Sequence, residues 1–99
     1  MHTLQELQRW YESQCDGKWE HEHGIEIGTL DNPGWSVTID LAGTSLAGQP
    51  FNEVKRLEHE TDWFHCQVRD GAFEGRGGPF MLEEILRMFL VWATERQAA

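Results

Sequence analysis

The stretch that most constrains the fold is WSVTIDL, residues 35–41. Trp35, Val37, Ile39 and Leu41 alternate with Ser36, Thr38 and Asp40, the period-two pattern of a strand buried on one face only. Such a strand needs partners and a cover, and the flanking sequence offers both. Ile25 and Ile27 carry the same alternation on the N-terminal side, joined through the turn residues Asn32, Pro33 and Gly34. Phe64, Cys66 and Val68 alternate with Trp63, His65 and Gln67, and Asp70-Gly71 then signals a tight hairpin returning through Phe73. A further strand is expected near residues 53–59, where alternation is poor.

Helical periodicity brackets this region. Leu4, Leu7, Trp10 and Tyr11 recur on one face, with a capping-box pattern at Thr3 and Glu6 and a left-handed stop at Gly17. Ile85, Leu86, Phe89, Leu90, Trp92 and Ala93 form a broader stripe near the C-terminus, whose helix should begin between residues 79 and 82. The sequence therefore predicts one α+β domain over residues 1–99. It comprises a four- to five-stranded antiparallel sheet with an N-terminal and a C-terminal helix. Both helices should pack on the face carrying Ile25, Ile27, Val37, Ile39, Leu41, Phe64 and Val68, the one face free to receive their stripes. No repeat or linker interrupts the chain. A 99-residue chain buries only roughly 60–65 % of its unfolded surface, and its 39 % of apolar residues, five of them Trp, suffice for such a core.

Register converts this scheme into a surface. With Asn32, Pro33 and Gly34 as a three-residue loop, Ile27 faces Ile39 and Ile25 faces Leu41, whereas a two-residue loop would mix the faces. Glu26 then lies opposite Asp40, a like-charge pair that costs some tenths of a kcal/mol and invites a functional reason. If the strand runs back unbroken through KWEHEHG (18–24), Glu20 and Glu22 join the same outer face, and Trp19, His21 and His23 point inward. The Asp70-Gly71 turn places Val68 with Phe73 inside and Trp63, His65, Gln67 and Glu74 outside. Glu20, Glu22, Glu26, Asp40, Trp63, His65 and Glu74 are thus the candidate binding residues, with Trp63 as an aromatic anchor. The plain alternative is that these acids pair with Lys55, Arg69 or Arg76 and merely keep the sheet soluble.

Charge narrows the partner. Seventeen acids against eight bases give a net charge of -9, which repels phosphate backbones and argues against nucleic acid. The same field attracts and steers a basic protein. No apolar run approaches the roughly 18–20 residues of a membrane span. The N-terminus lacks the pattern of a secretory signal, so a cytoplasmic location is expected. Cys15 and Cys66 are too few for a disulfide framework and read as reduced thiols.

Several stretches together resemble one family. QRWYESQCDGKWEHEHGIEIGTLDNPGW (8–35), IDL (39–41), DWFHCQVRDGAFEGRGGP (62–79) and EEILRMFLVWA (83–93) are similar to the immunity protein 53 family along nearly the whole chain. The combination of CDGKWEH, TLDNPGW and GRGGP carries the specificity. The resemblance implies an α+β antidote in the bacterial cytoplasm, encoded beside the toxin of a polymorphic toxin system. Such a protein would neutralise its toxin by stoichiometric occlusion, with no cofactor and no catalytic constellation. It implies no particular contact residues, and the number of copies in the assembly stays open.

Three other chemistries compete. His21 and His23 could ligate zinc from one side of an extended strand, completed by His59, His65 or Cys66, though paired C-x-x-C or H-x-x-x-H spacing is missing. Cys15 and Cys66 each precede a base by three residues, as a sulfurtransferase-like thiol would require. Against this, Cys15 lies at a helix C-terminus, whose dipole disfavours an anion, and Cys66 falls on the inner face, where free Cys packs as a small hydrophobe. Gly75-Arg76-Gly77-Gly78 could cradle an anion or simply turn the chain into Pro79.

Overall fold

A computed structural model describes residues 2–57 and 62–97. The elements follow in the order α1 (Thr3–Gln14), α2 (Trp19–Glu22), β1 (Ile25–Leu30), β2 (Gly34–Asp40), β3 (Val54–Arg56), β4 (Phe64–Arg69), β5 (Ala72–Gly77) and α3 (Leu82–Gln97). The five strands form one antiparallel sheet in the order β1-β2-β5-β4-β3. It is thus two hairpins, β1–β2 and β4–β5, joined along β2 and β5, with β3 carried to the far margin by the crossover of residues 41–53. The expected strand near residues 53–59 is observed as Val54–Arg56; residues 58 and 59 lie outside the described residues.

The inner face of the sheet carries Val37, Ile39, Phe64, Cys66 and Phe73, all buried, and α3 lays Ile85, Leu86, Phe89 and Leu90 upon it. Glycine makes this contact close. A Cβ added to Gly75 would sit 2.4 Å from Ile85 Cγ2, and one on Gly77 would sit 3.0 Å from Ile85 Cδ1. The GRGG stretch is therefore neither an anion cradle nor a turn: its first three residues lie in β5, and its glycines let the helix approach the backbone. Helix α1 adds Leu7 and Trp10 to the same core, with Trp10 edge-on to Phe89 at 4.9 Å. The sheet's inner face thus receives α3 directly, while α1 leans on α3.

Long-range hydrogen bonds from indoles tie down the connections. Trp19 Nε1 donates to Ala42 O at 2.8 Å, Trp92 Nε1 to Pro50 O at 2.8 Å and Trp35 Nε1 to Pro79 O at 3.0 Å. Two of these hold the crossover, whose Leu46 is fully buried. Trp19 and Trp92 are buried and Trp35 partly so, and in each the bond satisfies the ring's one polar atom.

Two local expectations change. The capping box does not form: Thr3 is buried and its hydroxyl donates to Glu83 Oε2 at 3.2 Å, while Glu6 pairs with Arg9 at 3.0 Å. The β1–β2 register is shifted by two residues from the expected one. The loop is Asp31–Pro33, and Ile25 faces Ile39, Ile27 faces Val37 and Glu26 faces Thr38. A two-residue shift keeps every side chain on its expected face but dissolves the Glu26–Asp40 pairing. The Asp70-Gly71 hairpin is as expected, with φ of 55° and 77° at its two central residues and Val68 opposite Phe73.

Candidate interaction surface

The KWEHEHG stretch is a helix rather than a strand extension. Its single turn, α2, is set by two carboxylates that trade backbone amides. Asp16 Oδ1 accepts from Lys18 N and Trp19 N, both at 2.9 Å, and Glu20 accepts from Asp16 N at 2.9 Å and Gly17 N at 2.8 Å. This reciprocal bonding satisfies the amides at the helix start, as a capping box does. It also holds both carboxyls below their ordinary range. For Asp16 the Trp19 amide matters most, then that of Lys18. For Glu20 its own amide leads, and those of Asp16 and Gly17 add to it against the opposing effect of desolvation. Glu20 is therefore turned into the loop and does not share the sheet's outer face.

The expected stripe separates into distinct environments. Glu22, Glu26 and Asp40 line one surface cleft of ≈ 380 Å³ together with His21, His23 and Gly24. Asp40 is anchored there: its Oδ2 accepts from Gly24 N at 2.9 Å and lies 3.8 Å from His23 Nδ1. Glu26 shares a row with Thr38, Glu74 and Gln67. Glu74 is not free, because Arg69 reaches it at 3.3 Å and Gln67 Nε2 at 3.4 Å. His65 contacts Glu53 and sits in register with Arg76 and Lys55. Trp63 is half-buried, with its carbonyl accepting Gly78 N at 3.0 Å; it is less exposed than a free aromatic anchor would be.

The outer face is consequently polarised rather than uniformly acidic. Between Tyr11 and Glu53 the sequence holds eight carboxylates and a single Lys or Arg, Lys18, so this stretch accounts for seven of the nine net charges. Glu26 and Asp40 bring that excess to the β1 side. Arg69, Arg76 and Lys55 occupy the same face nearer β3.

The feature that sequence reasoning missed is the margin beside the cleft. Alternation places Ile27 on the covered face, yet it is 42 % exposed, because α3 and α1 do not reach across β1. From Glu26 to Thr29 every residue of β1 is exposed. The IEIGTL pattern itself carries no signal of this, since Ile25 and Ile27 alternate just as the covered positions of β2 do.

The rival chemistries find little support. His21 lies on α2 and His23 follows it, so the two do not project from one strand. Among the described residues no group of three or more His, Cys, Asp or Glu is arranged to hold a metal, and His59 lies outside them. Cys66 is fully buried, and burial, aided by Glu84, pushes its thiol up to about 12, the reverse of a reactive thiolate. Cys15 donates to Tyr11 O at 3.3 Å. Among the described residues no helix is long and apolar enough to cross a membrane.

No curated protein and no solved structure matches the chain. The family model for immunity protein 53 matches residues 4–94, a span that runs from α1 through the cleft and the exposed margin of the sheet to α3, and the chain belongs to that family.

Proposed function

We propose that this protein is the cytoplasmic antidote of a bacterial polymorphic toxin system. It binds the toxin domain encoded in the neighbouring reading frame and neutralises it as a stoichiometric complex, without turnover. The family match over nearly the whole chain carries this reading. The concentration of unbalanced carboxylate between residues 11 and 53 supports a basic partner, since toxins acting on nucleic acid need a basic groove and carboxylates complement it. Glu22, Glu26 and Asp40 form the steering part of the contact; Trp63, His65 and Glu74 belong to its periphery, and Glu20 acts through the loop it caps.

Titration of toxin activity against added protein tests the reading. An antidote that occludes gives a linear loss of activity ending near one equivalent, with a complex of both chains recovered intact. Full protection by a small fraction of an equivalent, with the toxin recovered chemically altered, would show an enzyme instead.

A further inference from the structure

Strand β1 forms one margin of the sheet, and its backbone is open. In an antiparallel pair, hydrogen-bonded and non-bonded positions alternate. Asp40 N donates to Gly24 O at 3.0 Å, which makes Gly24–Asp40 a bonded pair. Counting along the register, Glu26, Gly28 and Leu30 turn their N–H and C=O groups toward β2. Ile25, Ile27 and Thr29 turn theirs outward. Among the described residues none of these three amides bonds to another element.

Such margins are usually blunted by shortness, lysine, proline or a bulge. Strand β1 has none of these: it runs six residues as IEIGTL and pairs with β2 without interruption. The opposite margin, β3, is three residues long and carries Lys55 and Arg56. The two sides of β1 also differ from one another. On the inner side lie Ile27 and a groove between α1 and the strand lined by Leu7, Tyr11 and Ile25. On the outer side lie Glu26 and the cleft with Glu22 and Asp40.

We propose that β1 receives an extended segment of the toxin as a sixth strand, and that this segment alternates apolar with Lys or Arg side chains. Backbone bonds to Ile25, Ile27 and Thr29 supply attachment, as in other strand-addition complexes. Period-two alternation sends every other side chain of the segment to each face. One set meets Ile27 and the α1 groove, and the other meets Glu26 and the cleft carboxylates. Charge complementarity selects a basic segment, and the exposed isoleucine selects an apolar second set. The inference rests on the antidote reading and names the surface on which it operates.

Amide exchange measured residue by residue, on the full chain alone and with the toxin domain encoded beside it, provides the test. The expected result is at least tenfold slower exchange at Ile25, Ile27 and Thr29 in the complex. Thr29→Pro removes one outward N–H without touching the β2 ladder, a position where proline is tolerated. Ile27→Lys sets an ammonium against the apolar side chains of the segment, removing the contact that selects them, and serves if Thr29→Pro fails to fold. Each should weaken binding at least tenfold with an unchanged thermal melt. A wild-type complex with these amides still exchanging freely, and with both variants binding at full strength, would overturn the inference while leaving the antidote reading intact. Failure of the wild-type chain to bind the toxin domain at all would remove both. A β1–β1 dimer of this chain that Ile27→Lys dissociates, with toxin affinity unchanged, would overturn the inference by assigning the margin to a second copy.

Discussion

At one margin of the sheet, β1 runs for six residues with four of them exposed, one acid on its outer face and an isoleucine half in water. At the other, β3 runs for three residues, displays Lys55, and folds Arg56 over the Phe64 ring at 5.1 Å while pairing it with Asp62. The shorter margin is the guarded one. It hangs on a crossover that Trp19 and Trp92 fasten through their indole N–H groups, whereas β1 is held by its own hairpin and little else. The contrast shows that exposure at β1 is not a general weakness of a small domain, because the same chain closes its opposite side with basic side chains and a tied loop.

The comparison can be broken from the middle of the sheet outward. Gly75→Ala should have the largest effect. Its new methyl would lie 2.4 Å from Ile85 Cγ2, so α3 must move off β5 at a cost of about 1–3 kcal/mol. A lower midpoint in chemical denaturation checks this, and the loss should be shared by both margins, since both depend on the central pair. Trp92→Phe removes the bond from the buried indole to the carbonyl of the exposed Pro50, costing about 0.5–1.5 kcal/mol. Here the margins should separate: hydrogen exchange should quicken in β3 and leave β1 unchanged.

Charge gives a smaller and sharper distinction. The Glu22→Gln, Glu26→Gln double variant should slow association with the toxin domain severalfold and flatten its dependence on salt, because steering charges act mainly on the on-rate. Lys55→Glu at the opposite margin should leave association within about twofold of wild type. Stopped-flow kinetics at two salt concentrations compare them directly. If both changes act equally, the field is a property of the whole molecule and the cleft has no special part in it.

Acid should produce the smallest effect. Asp16 and Glu20 have folded pKa values below their unfolded ones, so their contribution is fully present above about pH 4–4.5, the ordinary carboxylate values. It is lost as pH falls through the lower folded values. In Asp16→Asn that part of the acid loss should shrink, and solvent screening keeps the change small for so exposed a pair. Thermal melts between pH 5 and pH 3 read it out.

Much of the architecture was legible because its causes are local. Asp70-Gly71 demands a tight turn by backbone conformation alone, and the alternation through Val37 and Ile39 decides which side is inside. Parity was readable, but the shift was not. Loops of residues 31–33 and 32–34 leave identical faces and differ only in cross-strand partners, so hydrophobic pattern cannot choose between them. The KWEHEHG helix was hidden for another reason. Its side chains alternate like a strand, and only the exchange of amides between Asp16 and Glu20 reveals that the backbone turns. Gly75 and Gly77 were read as loop residues because the helix that needs their missing side chains arrives later in the chain. The exposed margin went unseen because coverage is a property of the finished packing, not of any segment.

An uncapped strand shared by every copy in the cell is also a risk of self-association, and the acidic surface has a second consequence there. Two β1 strands approaching one another bring Glu26 toward Glu26 and cleft toward cleft, so like charge opposes the pairing of identical molecules. That protection is electrostatic, and it fades where the charge does. Near the sequence pI of about 4.8, or in salt concentrated enough to shrink the screening length to about 3 Å, the open backbone loses its guard. The free protein should then cloud and form sheet-rich aggregates, and if the proposed sixth strand fills the margin, the complex should stay clear.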